Sequence, residues 1–480
     1  MAEPTLAEQI GAFAAATTFD TLPADVASSV RMRVLDILGI CVAASALDTS
    51  RAAYAFVTDH GGIAQSSGIG LPGKMPAASA GFVNGVLAHS LDYDDTHLPS
   101  VVHPSASVVP AALAVGEALG ADGAATVAAV ACGLEVCVRL GMAGYDAETG
   151  SSLYFDRGQH ATSICGALGA AVAAGMLMGF GPEQLTDALA VAASMGSGII
   201  EANRTGGTVK RLHCGWAAHA AISAAQLVQH GFTGPPTVLE GRFGFFQAWL
   251  DGKFDAEAIS ADLGTRWLTP DIVFKPYPAN HFTHTAIDAA IALRNRGVDV
   301  DDIASVTLGV PAAVVHTIGE PIEVKRRPET GYMAQFSGPY VVASGLLGGS
   351  GLGVGLDDFT DELARDPLRR ALMAKVSVVA NERCSAIFPH QFPSVLRVQL
   401  HGGGQLTEEV MVNRGGPDRP LSVAEVSMKF EDNVSGRMPD ATAARVAEMA
   451  AQLDDLDDVG ELLRDLSRDL PLARKNLEVP

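Results

Sequence analysis

Charge is scarce in this chain. Of its 480 residues 18% are Asp, Glu, Lys or Arg and 48% are hydrophobic, a balance that buries a large core and, at this length, predicts two domains or more. Positive charge is scarcer still: 33 Lys and Arg stand against 54 Asp and Glu, a net charge of −21. That excludes nucleic acid and anionic membrane as expected partners, because both are repelled at long range. Cysteines are few. Cys41, Cys132, Cys137, Cys165, Cys214 and Cys384 are scattered, mostly in apolar helical stretches without CxxC spacing, so they read as reduced core thiols rather than a disulfide framework. The N-terminal MAEPTLAEQIGAFAA has no cationic region ahead of an apolar one, which argues against a secretory signal and for a cytoplasmic product. The longest apolar run, AATVAAVACGLEVCVRLGMAG, is interrupted by Glu135 and Arg139 and predicts a buried helix rather than a membrane span.

Familiar catalytic signatures are also missing. GGSGLGVG at 348–355 gives GxGxG rather than GxGxxG and follows a helical run instead of a strand, so a flexible turn is the better reading than a dinucleotide site. No GxxxxGK[ST], HExxH or GxSxG occurs, which removes phosphate-loop, zincin and serine-hydrolase chemistry.

What is present is helical periodicity. Ala-rich segments near 5–16, 23–46, 76–90, 104–119, 123–143, 160–178, 183–196 and 213–230 alternate with Gly, Pro and Asp turns, the pattern of an all-helical body whose small residues let helices cross closely. The texture changes beyond Phe274. SVTLGV, AKVSVVA, SVLRVQL and LTEEVMV read as strands, the last two flanking the hairpin signal HGGGQ, with helices expected at 282–296, 335–347 and 357–373. The fold expected is mainly α: a large helical domain of residues 1–267 with 416–480, and a smaller α+β lid domain of 268–415. Ser422 and Glu425 form a capping-box signature, and the acidic helical tail 438–470 is spaced to pack against the helical body.

Four polar clusters stand at the edges of apolar helices. HSLDYDDTHLPSVVHPS, residues 89–105, ends one helix in acid and places His103 just before the N-terminus of the next, where backbone N–H groups favour an anion such as a substrate carboxylate. Asp92 and His103 are the functional candidates here; for Asp94 and Asp95 ordinary turn or cap roles stay open. His160 opens a second apolar helix. Lys210, Arg211 and His213 interrupt a third apolar stretch between a Gly-rich turn and a helix, and buried cations of this kind need a partner that a bound carboxylate can supply. Lys275 and Tyr277 lie between prolines ahead of His281 and His284. With Asp288 those two histidines fall near one helix face, a weak metal pattern lacking cysteine and any recognised spacing.

Taken in order, N-x-x-x-x-H-S-x-D-x-D-D-T with HPS, GxHAT, KRLHxGWAAH, GFTGP, LEGRFGFF, KPYPxxHFxH, QFSGPY and RGGPDRPLS resemble the MmgE/PrpD family over nearly the whole chain. The resemblance implies a large helical domain with an α+β lid, commonly a homodimer, working on small di- or tricarboxylates without metal or organic cofactor. It implies Asp92, Thr96 and His103 in a first active-site segment, His160 in a second, then Lys210, Lys275 and Tyr340. The reactions implied are dehydration or decarboxylation by a lyase, with epimerisation by an isomerase and a non-catalytic carboxylate-binding protein as alternatives. All three reactions pass through enolate-like charge next to a carboxylate, so cations and a proton carrier are required. In that scheme His103 and His160 move protons, Tyr340 is a donor or secondary acid, Asp92 orients a histidine, Thr96 bonds substrate, and Lys210 and Lys275 hold carboxylates. Three departures leave the substrate open: one residue more between Thr96 and His103 than in the decarboxylase pattern, His97 where that pattern has tryptophan, and Cys214 where proline is usual.

Overall fold

The computed structural model describes residues 3–202 and 206–470. It is mainly helical, and the chain divides into two compact units, Met1–Ile272 with Val434–Pro480, and Val273–Asn433. The breaks read from sequence were 267 and 415. In the structure the helix Val423–Val434 falls almost wholly in the second unit, where Glu425, held by Ser422 in the expected capping box, also binds Arg414.

The first unit is built around the helix Ala161–Leu177, which packs against Gly123–Ala143, Ser105–Leu119 and Val209–Gln229; the last of these also packs on Ala77–Ala88. Small residues set these approaches. A Cβ on Gly169 would stand 2.3 Å from Gly133 O, and one on Gly215 would stand 2.4 Å from Phe82 O, so the backbones touch where any larger residue would force them apart. The Gly85–Gly215 crossing matters for function: it brings the end of Ala77–Ala88, which runs into His89, beside the first turn of Val209–Gln229, which carries Lys210 and His213. That helix begins four residues earlier than expected. Lys210 and His213 are therefore three apart on a helix, a spacing that puts them on one face, rather than in the turn ahead of it. Pro110 lies inside the helix Ser105–Leu119.

Gly123–Ala143 is long and apolar enough to cross a bilayer, but 89% of its most apolar window is buried within the unit. Its charges are consumed internally: Arg139 bonds Glu135, whose carboxylate accepts from Leu268 N and Thr269 N. Leu456 O and Ala121 O tie the acidic tail to this body through Gly123 N and Val459 N, the packing its apolar spacing predicts. All six cysteines are buried and unpaired.

The second unit holds a four-stranded sheet in the order Val376–Ala380, Ile303–Val310, Ser394–Leu400, Gln405–Val410; the first pair is parallel and the others antiparallel. HGGGQ makes the hairpin between the last two, with Gly403 at φ 87°. Helices His284–Asn295 and Gly338–Leu347 pack together and share a core with the sheet. The helix expected over 357–373 is split into Asp361–Ala364 and Pro367–Ala374, because Pro367 cannot continue a helix but starts one well.

Candidate active site

Residues 89–104 connect Ala77–Ala88 to Ser105–Leu119 without regular structure, and buried polar contacts fix their path. Asp95 meets Arg33 at 2.6 Å, both side chains 1% exposed, and accepts from Ser105 N and Ser105 Oγ. It anchors the first residue of the Ser105–Leu119 helix from outside that helix, whose N-cap is Pro104. His97, at the departure from the family pattern, closes a short loop: its N–H bonds Val102 O at 2.9 Å and its Nδ1 meets Ser100 Oγ at 2.7 Å. Burial, then the Arg33 charge, lowers the His97 imidazole to about 4. Two residues of the segment are left-handed, Asp92 at φ 52° and Val101 at φ 54°, a strained backbone that costs roughly 1–3 kcal/mol per residue and clusters at functional sites.

His103 sits one residue ahead of the Pro104 N-cap, as expected. Its Nδ1 lies 2.6 Å from Asp95 O and 3.1 Å from Thr96 Oγ1, and its backbone N–H bonds Thr162 Oγ1 at 3.1 Å. A carbonyl oxygen only accepts, so Nδ1 carries the hydrogen and the neutral ring has its lone pair on Nε2. His160, the N-cap of Ala161–Leu177, has its Nδ1 2.8 Å from His213 Nδ1. One of the two must donate. The pair therefore offers one Nε2 lone pair and one Nε2–H, a donor beside an acceptor. Burial first, then the neighbouring His89 charge, pushes His160 well below the usual imidazole range and His213 to about 4; Lys210 acts in the same direction on both.

His89 joins these groups. Its ring is 5.4 Å from His103 and 5.5 Å from His160, centroid to centroid, and its Nδ1 is held 2.7 Å from Asp94 Oδ2. Lys210 Nζ is 3.3 Å from Asp92 Oδ1 at a partly open edge, where the side chains are 25% and 12% exposed. The site of the first unit is thus four imidazoles, a lysine and two carboxylates.

The structure brings Asp92, Thr96, His103, His160 and Lys210 into this one unit. Asp94 holds a histidine, the role expected of Asp92, whose Oδ1 meets Lys210. Thr96 contacts His103. His89 and His213 belong to the sequence clusters without an assigned role, and for Asp94 the sequence leaves a turn or cap role open; the His89–Asp94 pairing spans an irregular loop, so no periodicity announces it. Asn203, Arg204 and Thr205 of the third cluster lie outside the described residues.

Lys275 and Tyr340 belong to the second unit. Lys275 is 1% exposed. Tyr340 is fully buried on the first turn of Gly338–Leu347, its hydroxyl donated to Asp358 O and its ring under the Arg369 guanidinium at 5.6 Å. Burial pushes that hydroxyl up to about 12, with Arg369 opposing. The geometry is that of a core anchor. Asp288 gives one oxygen to Tyr277 OH at 2.6 Å and the other to Arg419 at 2.9 Å, which leaves the His281–His284–Asp288 face without a carboxylate to spare. Among the described residues no group of three or more His, Cys, Asp or Glu is placed to hold a metal ion.

Residues 8–257 match the MmgE/PrpD N-terminal domain and residues 277–455 the MmgE/PrpD C-terminal domain. The chain belongs to the MmgE/PrpD family. Among its relatives is a cis-aconitate decarboxylase of Mus musculus, 30% identical over 408 residues, which span 82% of this chain and 78% of that protein. The Homo sapiens cis-aconitate decarboxylase is 30% identical over 409 residues, 81% and 79% of the two chains. A mitochondrial 2-methylcitrate dehydratase of Yarrowia lipolytica is 27% identical over 296 residues, 59% and 55% of the two chains. The two segments that open the helices Ser105–Leu119 and Ala161–Leu177 meet at His89, His103 and His160.

Proposed function

We propose that this MmgE/PrpD protein is a lyase that removes CO2 or water from a small di- or tricarboxylate by proton transfer next to a carboxylate. The observation that carries the reading is the buried histidine cluster, with Lys210 at its edge, in a chain whose relatives are named as decarboxylases and a dehydratase. Such a reaction leaves an electron pair on carbon, delocalised into a carboxylate as an enolate-like charge. Low-dielectric surroundings with a fixed cation and hydrogen-bond donors lower that charge's energy. A neutral imidazole in the same place takes or returns the proton.

Each group has a part in this scheme. Lys210 binds a substrate carboxylate, which enters in competition with Asp92 for the ammonium. His103 Nε2 and the His160–His213 pair supply a base and a donor within one cluster. Tyr340 is left out of the proton path, because its hydroxyl is committed to Asp358 O. Lys275 is kept as a second carboxylate-binding cation on the family resemblance alone. The scheme asks for no metal, so exhaustive chelation is expected to leave turnover unchanged. A cytoplasmic homodimer belongs to the same proposal, resting on the resemblance, and light scattering checks the mass.

A panel of di- and tricarboxylates including cis-aconitate and 2-methylcitrate, read by mass spectrometry, tests the reaction class. The expected product is lighter than its substrate by CO2 or by water. A product of unchanged mass would replace the lyase by an epimerase, and binding without conversion would replace it by a carboxylate-binding protein.

A further inference from the structure

Three features of the histidine cluster single out one ring to which no role has been given. His89 is 3% exposed. Its Nδ1 is fixed by the Asp94 carboxylate at 2.7 Å, both side chains fully enclosed. Its Nε2 makes no hydrogen bond to any described residue. Leaving a buried polar nitrogen unmatched costs roughly 1–3 kcal/mol, so such an atom in a native fold asks for a partner that arrives later. The two ring nitrogens point to opposite sides of an imidazole. With Asp94 on one side, Nε2 is directed away from it, in a ring lying 5.4 Å from His103 and 5.5 Å from His160.

The partners of the four rings also differ in kind. His160 and His213 face each other, and His103 Nδ1 faces a carbonyl dipole and a hydroxyl. His89 faces a full negative charge. Asp94 is a ready counter-charge for a proton carried on that ring. Burial drives His160 and His213 toward the neutral form, and the neighbouring His89 ring acts in the same direction on both.

We propose that His89, oriented by Asp94, is the acid of this site: its Nε2–H delivers the proton to the substrate. This rests on the lyase reading above. In a decarboxylation the bond from carbon to the departing carboxylate breaks and its electron pair stays as an enolate. Carbon then takes the Nε2 proton, and the neutral His89 is reprotonated from solvent. In a dehydration the same Nε2–H protonates the hydroxyl group, which leaves as water, while the lone pair on His103 Nε2 takes the carbon-bound proton. Asp94 is a positioning residue that keeps Nδ1–H toward itself and Nε2 toward the substrate.

The test compares the wild type with His89→Gln, His89→Ala and Asp94→Asn. Each variant is first checked for an unchanged circular-dichroism spectrum, then assayed on whichever carboxylate the wild type converts. His89→Gln and His89→Ala are expected to lower kcat by about a hundred- to ten-thousandfold with KM changed by less than about fivefold. Added imidazole should restore part of the His89→Ala turnover, which a packing role would not allow. Asp94→Asn should lower kcat with the ring still present. If His89→Gln keeps turnover within about threefold while His160→Ala loses it, the inference is overturned and the lyase reading survives. If the wild type converts no carboxylate, the lyase reading fails. The placement of His89 is then read by NMR of its ring on adding citrate: a shift of the His89 Cε1–H signal supports it, and an unmoved signal in protein that binds citrate overturns it. A variant that fails the circular-dichroism check is replaced by the same ring titration in the wild type.

Discussion

At the scale of single residues the site separates groups that hold charge from groups that move it. Lys210 lies at the open edge and pairs with Asp92; a charge-assisted hydrogen bond from it to a substrate carboxylate is worth roughly 1.5–3 kcal/mol. Lys210→Ala is therefore expected to weaken binding by about ten- to a hundredfold at 1.4 kcal/mol per decade, with kcat less affected. His103→Ala and His160→Ala should do the reverse, lowering kcat by about a hundred- to ten-thousandfold with smaller changes in KM. Steady-state kinetics on the converted carboxylate decide between the two patterns, and near-normal turnover in both histidine variants would remove proton transfer from these rings. Some of this division was legible in the sequence. His103 ahead of a helix N-terminus, His160 opening an apolar helix and Lys210 in apolar surroundings were readable from period and polarity. The match of carboxylate to histidine was not. Asp92, Asp94 and Asp95 are chemically alike and adjacent, and only the irregular path of residues 89–104, with Asp92 left-handed, sends one to Lys210, one to His89 and one to Arg33.

Helices place those residues, and glycine decides how near they come. Gly85 on Ala77–Ala88 and Gly215 on Val209–Gln229 cross with no room for a side chain; a Cβ on Gly215 would also stand 2.5 Å from Val86 Cγ2. The obstacle at Phe82 O is backbone, which cannot rotate away. Gly215→Ala is expected to push the Lys210–His213 turn from His89, costing about 1–3 kcal/mol of stability as overpacking does and lowering kcat with it. Thermal melts and kinetics check this, and a variant with wild-type melting and turnover would show that the crossing does not set the site. Periodicity revealed Ala77–Ala88 and Gly123–Ala143 to within a residue or two, and the HGGGQ hairpin announced its strands. It erred at two places: Pro367 splits the helix expected over 357–373, and the helix expected from 213 begins at Val209, so that it takes in the polar cluster expected between the Gly-rich turn and the helix. The close glycine contacts leave no trace in a hydrophobic pattern, because Ala and Gly serve equally well as small residues there.

Across the whole molecule the buried imidazoles couple the site to acid stability. His97 and His213 are lowered to about 4 and His160 well below its usual value, each mainly by burial. The unfolded chain takes up these protons near 6.5, before the folded chain does, so stability is fully present above about 6.5 and is lost as pH falls toward 4. His97 alone contributes up to about 3 kcal/mol to this loss at 1.36 kcal/mol per unit. The melting temperature is expected to fall steadily from pH 7 to pH 4.5, and His97→Gln should flatten part of that slope. An unchanged melting temperature across this range would mean that the rings are charged in the folded state. Against the net charge of −21, Lys210 at the edge of the site gives an anionic substrate a local cation in an acidic protein. The division into a helical unit and an α+β unit was legible from the change of texture after Phe274. The return point was less so, because the capping box at Ser422 opens a helix that continues the second unit to Asn433.

The central claim is that this histidine cluster transfers a proton to or from a carbon next to a carboxylate. The most direct measurement is proton and carbon NMR of the reaction in deuterated water, using the carboxylate that the wild type converts. A decarboxylation is predicted to give product carrying one solvent deuterium at the carbon that takes the proton, and a dehydration to release to solvent a deuterium placed beforehand on the substrate carbon next to the carboxylate. Either transfer should fall away in His160→Ala and His103→Ala. Decarboxylated product without solvent deuterium, dehydrated product that keeps all of the substrate's deuterium at that carbon, or either product formed at the wild-type rate in both variants, would contradict the account.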